Sequence, residues 1–272
     1  MKKRALCAAL CLTLSITLGG QALAAESGVN FTINGTPVET AIVSQVVDRT
    51  TYVSYWPIVQ ALYPEATAVW ANGQAEIRAE GLELNIKPGA QYIECNGRYL
   101  YVSEGVKTQG QNILVPVRIL GQALRAWVSW DSETDTVVIQ ATGNGPIASG
   151  DEVYQEDVVY WLSRIINAES GNQPLEGKIA VGNVVLNRVA SPRFPDTVYE
   201  VIFQRNQFTP ASNGSINKTP NAESVIAAKL CLEGANTAGN ALYFVNPYVS
   251  PGSWASRNRP YVATIGAHAF FA

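Results

Sequence analysis

Val158–Val189 reads VVYWLSRIINAESGNQPLEGKIAVGNVVLNRV, and its spacing decides the architecture of the second half of the chain. Val158, Leu162 and Ile165 follow one another at steps of four and three residues, which lines them along one helical face. Four residues further on, Glu169 falls on the same apolar stripe. Ser170-Gly171-Asn172 then breaks the helix, and Pro174 suits the first turn of a second one. Leu175, Ile179, Gly182, Leu186 and Val189 line the buried face of that second helix, and Gly182 lets the two helices approach closely. The expectation is a helical hairpin with a carboxylate at its corner, where a cleft can open.

An acid on an apolar stripe is unusual, because ionised groups are seldom buried without a partner and desolvation raises a carboxyl pKa. Such a group can donate a proton near neutral pH. The competing structural reading has Glu169 paired with Arg164 or Arg188, or accepting amide hydrogens from the next helix. Past the hairpin, Thr219-Pro220 reads as a helix start, Asn221 to Glu233 as an Ala-rich helix and Ala241 to Val245 as a strand. Tyr243, Asn246, Trp254 and Arg259 are residue types that line sugar sites, since flat rings stack on pyranose faces while amides and guanidinium bond hydroxyl and N-acetyl groups. Taken singly, each also reads as a core or turn residue.

Upstream of the hairpin, Gly143-Asn144-Gly145-Pro146-Ile147-Ala148-Ser149-Gly150 reads as a linker. Before it, Val29–Ile33, Gln91–Val102, Ile113–Val117 and Thr136–Gln140 are rich in β-branched and aromatic residues and read as strands. This region repeats itself at an offset of about 62 residues: Asn34-Gly35 recurs as Asn96-Gly97, Val53 as Val115, and Ala61-Leu62 as Ala123-Leu124. Allowing a short deletion, Trp70 corresponds to Trp130. Each half reads as a hairpin, a helix (Trp56–Leu62 or Arg118–Leu124) and then strands, which predicts a duplicated β-rich unit.

The chain begins with Lys2-Lys3-Arg4, an apolar run to about Leu18 and the small residues Ala22-Leu23-Ala24-Ala25, the order of a secretory signal peptide. The run is shorter than the roughly 20 residues that span a bilayer, so the expected protein is exported, with no membrane span after cleavage. Removing the leader leaves 16 basic against 22 acidic residues. No basic cluster remains to neutralise a row of phosphates, which argues against nucleic acid as partner. Cys95 and Cys231 stay in the mature chain and read as separate core thiols. The single histidine, His268, is too little for a zinc amidase or peptidase. Cys231 sits in an apolar helical setting that disfavours a Cys–His peptidase, and no nucleophile-elbow sequence accompanies His268.

The motifs Ile166-Asn167-Ala168-Glu169, PLEGKIAVGNVVLNRV over Pro174–Val189, Ser191-Pro192-Arg193-Phe194-Pro195, Gln207-Phe208-Thr209, Ala241-Leu242-Tyr243-Phe244 with Asn246-Pro247, Arg259-Pro260, and Ile265-Gly266 with His268 and Phe270 occur in that order. Together they make Trp161–Phe270 resemble the SleB-type cell wall hydrolases, the family named for spore cortex-lytic enzymes. Likewise ILVPVRILGQALRAWVSWDSETDTVVIQ makes Val29–Gln140 resemble a copper amine oxidase N-terminal-like domain; with no histidine in that region, the name implies no copper.

The first resemblance implies a predominantly helical, lysozyme- or lytic-transglycosylase-like domain with a small β element. It also implies Glu169 as catalytic acid/base and cleavage between N-acetylmuramic acid and N-acetylglucosamine. Gln207, Phe208 and His268 join Tyr243, Asn246, Trp254 and Arg259 as candidate substrate-binding residues. Glu176, the other acid near the motif, is a further candidate or a capping residue. A retaining hydrolase needs a second carboxylate about 5 Å from the first, whereas a lytic transglycosylase needs one acid, and that one-acid chemistry is the expectation. Gln173 stands where relatives often carry an acidic residue.

The expected layout is α+β: leader 1–25, duplicated β-rich domain 26–141, linker 142–152 and catalytic domain 153–272. Glycan strands of peptidoglycan are the expected partner, in wall remodelling or cortex lysis, with the N-terminal domain open to wall or protein contacts. No metal or cofactor is expected. The alternatives are an N-acetylmuramoyl-L-alanine amidase and a non-catalytic wall-binding protein.

Overall fold

The computed structural model describes residues 29–38 and 41–272. The leader read over residues 1–25 lies outside the described residues. The fold is α+β, with one hydrophobic core drawn from residues 31–147 and a second from 162–270. Among the described residues no helix is long and apolar enough to cross a membrane.

The first core is built by the repeat. Its first copy runs β1 (Asn30–Ile33), β2 (Thr36–Pro37), β3 (Ser44–Val47), β4 (Thr50–Ser54), α1 (Tyr55–Leu62), β5 (Thr67–Ala71) and β6 (Gln74–Ala79). An added strand, β7 (Leu82–Ile86), precedes the second copy: β8 (Tyr92–Cys95), β9 (Arg98–Tyr101), β10 (Lys107–Gln109), β11 (Asn112–Pro116), α2 (Val117–Ala123), β12 (Ala126–Asp131) and β13 (Thr136–Ala141). Starts correspond at the 62-residue offset, Asn30 with Tyr92, Thr50 with Asn112 and Gln74 with Thr136. Asn34-Gly35 and Asn96-Gly97 have φ of 52° and 78°, and 51° and 73°, the left-handed pair that a type I′ hairpin turn requires.

In space the two copies exchange strands. The β1–β2 hairpin joins the strands of the other copy in the order β12-β13-β1-β2, and β8–β9 joins the first copy in the order β5-β6-β7-β8-β9. A third sheet, β10-β11-β4-β3, links them, and in it Val53 stands opposite its own equivalent Val115. A local two-fold axis therefore passes between two fully buried valines.

The stretch read as a linker is a packed strap. Ile147 is buried in the first core and its N–H donates to the Ala123 carbonyl at 3.1 Å. Asn96 Nδ2 donates to the Ile147 carbonyl at 2.7 Å, and the Gly150 N–H to the Asn96 carbonyl at 2.8 Å. Local composition signals turns, but it carries no information that Ile147 among them has a buried partner.

The second part runs α3 (Gly150–Val153), α4 (Glu156–Ser170), α5 (Leu175–Val189), α6 (Val198–Phe203), α7 (Thr209–Asn213), α8 (Ala222–Leu232), β14 (Tyr243–Val245), α9 (Trp254–Asn258), β15 (Tyr261–Ile265) and β16 (His268–Phe271). The strands form one sheet ordered β14-β16-β15. The apolar stripe of α4 is buried at Leu162 and Ile165. In α5 burial extends beyond the expected face: Ala180, Val181, Asn183, Val184 and Val185 are buried too, whereas Leu186 and Val189 are only partly so. The reason is that α5 is covered by helices α4, α6 and α8 and touched by β14 and β15. At Gly182 a Cβ would lie 2.6 Å from Cys231 Sγ on α8 and 2.9 Å from Ile166 Cδ1 on α4, so a bare backbone is what lets three helices meet there.

The two parts are docked by specific contacts. Arg98 on β9 donates from Nε and Nη2 to the two carboxylate oxygens of Glu233 at 2.7 and 2.6 Å, and Tyr154 Oη donates to the same carboxylate at 2.7 Å. Tyr92, Tyr99 and Tyr101 pack against the second core. Cys95 and Cys231 are free and buried in different cores. Burial pushes the Cys95 thiol up to about 12 and the Cys231 thiol upward as well, so both are held as neutral apolar groups.

Candidate active site

Glu169 occupies the last turn of α4, whose end is clamped to the start of α8. The Asn221 N–H donates to Asn167 Oδ1 at 3.1 Å, and Asn221 Nδ2 to the Gly171 carbonyl at 3.0 Å. Asn221 also caps α8 by accepting from the Ser224 N–H. The turn that follows is held by Lys178, whose Nζ donates to the Gln173 carbonyl at 2.5 Å. Gln173 Oε1 accepts from the Ala267 N–H at 2.8 Å, so this side chain fastens the β15–β16 turn and does not face the cleft.

The half-buried Glu169 lines an open cavity of about 520 Å³. Burial pushes its carboxyl above the ordinary carboxylate range. It makes none of the ion pairs found among the described residues, so the reading in which Arg164 or Arg188 neutralises it does not hold. Glu169 is also the single carboxylate among the described residues that line the cavity.

Of the sequence-derived binding residues, Gln207, Phe208, Tyr243, Asn246, Trp254 and His268 come together on the walls of this cavity. They arrive from separate elements: Phe208 caps α7, Tyr243 lies on β14, Trp254 opens α9 and His268 starts β16. Tyr243 and Trp254 meet edge to face at 5.6 Å. Arg259 is placed behind them, its guanidinium centre 5.2 Å from the Tyr243 ring and 4.8 Å from the Trp254 ring, steadying both rings without lining the cavity. His268 is buried, which pushes its pKa down and keeps the imidazole neutral at neutral pH.

Glu176 is elsewhere. It sits on the first turn of α5, the end opposite Arg188, and its Oε1 accepts from Gln91 Nε2 of the N-terminal part at 2.7 Å. It belongs to the docking contact, not to the cleft; the proximity in sequence to Glu169 is undone by the break between helices. Sequence reasoning did not find Thr209, Phe244 or Ser253 on the cavity wall, and it treated Arg188 only as a partner for Glu169. Thr209 was within reach, since it adjoins Gln207 and Phe208; Ser253 carried no signal beyond a helix N-cap. Cys231 is packed on Gly182, its thiol donating toward the Ile179 carbonyl at 3.3 Å and accepting from Asn183 Nδ2 at 3.8 Å, with no hydrogen bond to His268 among the described residues.

Arg188 is the unexpected member. It is 4% exposed, its Nε donates to the Leu242 carbonyl at 2.8 Å, and its guanidinium centre lies 5.0, 5.1 and 5.6 Å from the rings of Phe194, Phe208 and Tyr243. Burial lowers its pKa to about 10, still cationic at neutral pH.

Comparison with known proteins agrees with the architecture. Residues 172–271 match the family model described as Cell Wall Hydrolase, and residues 32–139 match that described as Copper amine oxidase N-terminal domain. The first match begins three residues beyond Glu169 and does not include it. The chain's one histidine, His268, lies outside residues 32–139, and among the described residues no group of three His, Cys, Asp or Glu side chains is placed to hold a metal ion.

Among similar proteins are spore cortex-lytic enzymes of Oceanobacillus iheyensis, 35% identical over 129 residues (47% of this chain, 46% of the relative), and Bacillus cereus, 37% identical over 117 residues (43% and 45%). The chain thus spans less than half the length of these curated relatives. A solved structure described as the catalytic domain of the germination-specific lytic transglycosylase SleB from Bacillus anthracis is 35% identical and is covered completely by 46% of this chain, with a TM-score of 0.41.

Proposed function

We propose, on the premise that residues 172–271 of this chain belong to the cell wall hydrolases, that the protein cleaves the glycan strand of peptidoglycan between N-acetylmuramic acid and N-acetylglucosamine, with Glu169 as its one catalytic acid. The observation that carries this is the state of Glu169: a half-buried, unpaired carboxyl with a raised pKa, alone of its kind on the wall of an aromatic-lined cavity.

Glu169 in its acid form protonates the glycosidic oxygen as the bond to the anomeric carbon of muramic acid breaks. The carboxylate left behind then takes the proton of the C6 hydroxyl of the same sugar while that oxygen bonds to the anomeric carbon. Proton and bonds balance, the products are a free C4 hydroxyl and a 1,6-anhydro end, and no water or second acid is consumed. Tyr243 and Trp254 offer ring faces and edges for the sugars, and Gln207 and Asn246 offer amides for their hydroxyl groups. The reading includes export, so that the protein acts on the cell wall or the spore cortex.

Digestion of purified sacculi by the leaderless protein and by Glu169→Gln, with the soluble muropeptides identified by mass spectrometry, tests the proposal. Anhydro-muramic ends made by the wild type and not by the variant support it. Reducing ends mean hydrolysis, free stem peptides mean amidase chemistry, and an absence of soluble product means a binding protein; each of these overturns it.

A further inference from the structure

Resting on the reading of the cleft as a glycan site, we propose that Arg188 receives the 2-acetamido group of an amino sugar, its Nη1 donating to the amide carbonyl while the neighbouring rings cover the methyl. Nη1 of Arg188 is buried and has no hydrogen-bond partner, although the side chain lines the cavity. A buried cationic donor left unpaired is costly; of the buried side-chain polar atoms without a partner among the described residues, only those of Arg188 and His268 belong to residues lining this cavity, which marks a place kept for an acceptor that arrives with the ligand. No carboxylate of the protein fills that role: the ion pairs among the described residues do not include Arg188, and the cavity's one acid is Glu169.

The geometry also says which acceptor fits. Nε is already committed to the Leu242 carbonyl at 2.8 Å, so of the two arginine forks the side-on one, through Nε, is taken and the unpaired buried donor is Nη1. The rings of Phe194, Phe208 and Tyr243 surround the guanidinium at 5.0–5.6 Å. Their faces stabilise the cation and surround it with apolar surface, which the methyl of a neutral acetamido group can fill while its carbonyl accepts from Nη1. An acetamido group has that shape and polarity. His268 Nδ1, also buried without a partner on the same cavity wall, leaves a second polar contact available to the bound sugar.

The test compares cleavage of one batch of sacculi before and after chemical de-N-acetylation, and after re-acetylation, by the wild-type protein. The expected result is a KM raised about tenfold or more on the de-N-acetylated substrate, as for loss of a hydrogen bond to a charged group, with recovery on re-acetylation. Arg188→Lys and Arg188→Gln, checked for folding by circular dichroism, are expected to lose that discrimination. Because burial of Arg188 makes these variants prone to misfold, the wild-type comparison stands by itself. Equal KM on both substrates, or discrimination retained in a folded Arg188→Gln, overturns the assignment. So does stronger inhibition by carboxylated than by acetylated oligosaccharides, which would make the ligand a carboxylate. Wild-type protein that cuts no form of the sacculi refutes the enzymatic reading itself, a result separable from cleavage that ignores N-acetylation.

Discussion

Replacing Glu233 by alanine removes the carboxylate on which Arg98 and Tyr154 converge and is expected to loosen the docking of the two cores. The Arg98–Glu233 pair is bidentate, with side chains only 19% and 5% exposed. Removing one partner of a buried pair costs about 3–5 kcal/mol, because the other charge is left uncompensated. Residual exposure of Arg98 puts this case near the lower end, about 3 kcal/mol, or roughly a hundredfold in a docking equilibrium. For a chain of this size that corresponds to a fall in Tm of about 6–12 °C.

Differential scanning calorimetry should show the single wild-type transition of Glu233→Ala moved down or split in two, with the docking loss appearing first. Arg98→Ala/Glu233→Ala, which leaves no orphan charge, should lie closer to the wild type than Glu233→Ala alone. Cleft activity at 25 °C should survive, since Glu233 is at the far end of α8 from Asn221 and the Glu169 turn, about 18 Å along the helix. A Glu233→Ala protein that melts as the wild type does, or a double variant as unstable as the sum of the singles, would refute the reasoning.

Glu169→Gln should stabilise the protein at neutral pH. The folded carboxyl is pushed above its ordinary value of 4.5 by burial, so the folded state binds that proton more tightly than the unfolded one. Its stabilising contribution is therefore full below that value and lost as pH rises through the folded pKa. Urea denaturation at pH 4 and pH 8 reads this: the advantage of the glutamine should be larger at pH 8, and a larger advantage at pH 4 contradicts the sign. Gly182→Ala should cost about 1–3 kcal/mol by overpacking, since its Cβ would stand 2.6 Å from Cys231 Sγ and 2.9 Å from Ile166 Cδ1. Adding Cys231→Ala should return part of that loss in the same denaturation assay, and an additive pair would mean that the contact is not the cause.

Local pattern sufficed wherever the deciding interaction spans a few residues. The step of three and four from Val158 to Glu169 brought the acid to the right face of α4, and the two Asn-Gly turns located both hairpins with their left-handed geometry. The duplication was also legible, since recurrence at one offset survives without knowledge of the fold, as were most of the residues that meet at the cleft; Glu176 and Arg259 fall outside its lining, and Arg188, Thr209, Phe244 and Ser253 join it. Tertiary structure decided which distant segments meet. Both the exchanged hairpins and unexchanged ones satisfy the same alternation; only closing the three sheets around one core selects the pairing of β1 with β13 and of Val53 with Val115. The glycine-rich stretch read as a linker from its composition, and that Ile147 within it is buried follows only from α2 being there to cover it; Glu176 meets Gln91, 85 residues away, across the docked parts. The empty donor of Arg188 is of the same kind: a helical position predicts a face, but whether a buried cation finds a partner depends on every element that packs around it.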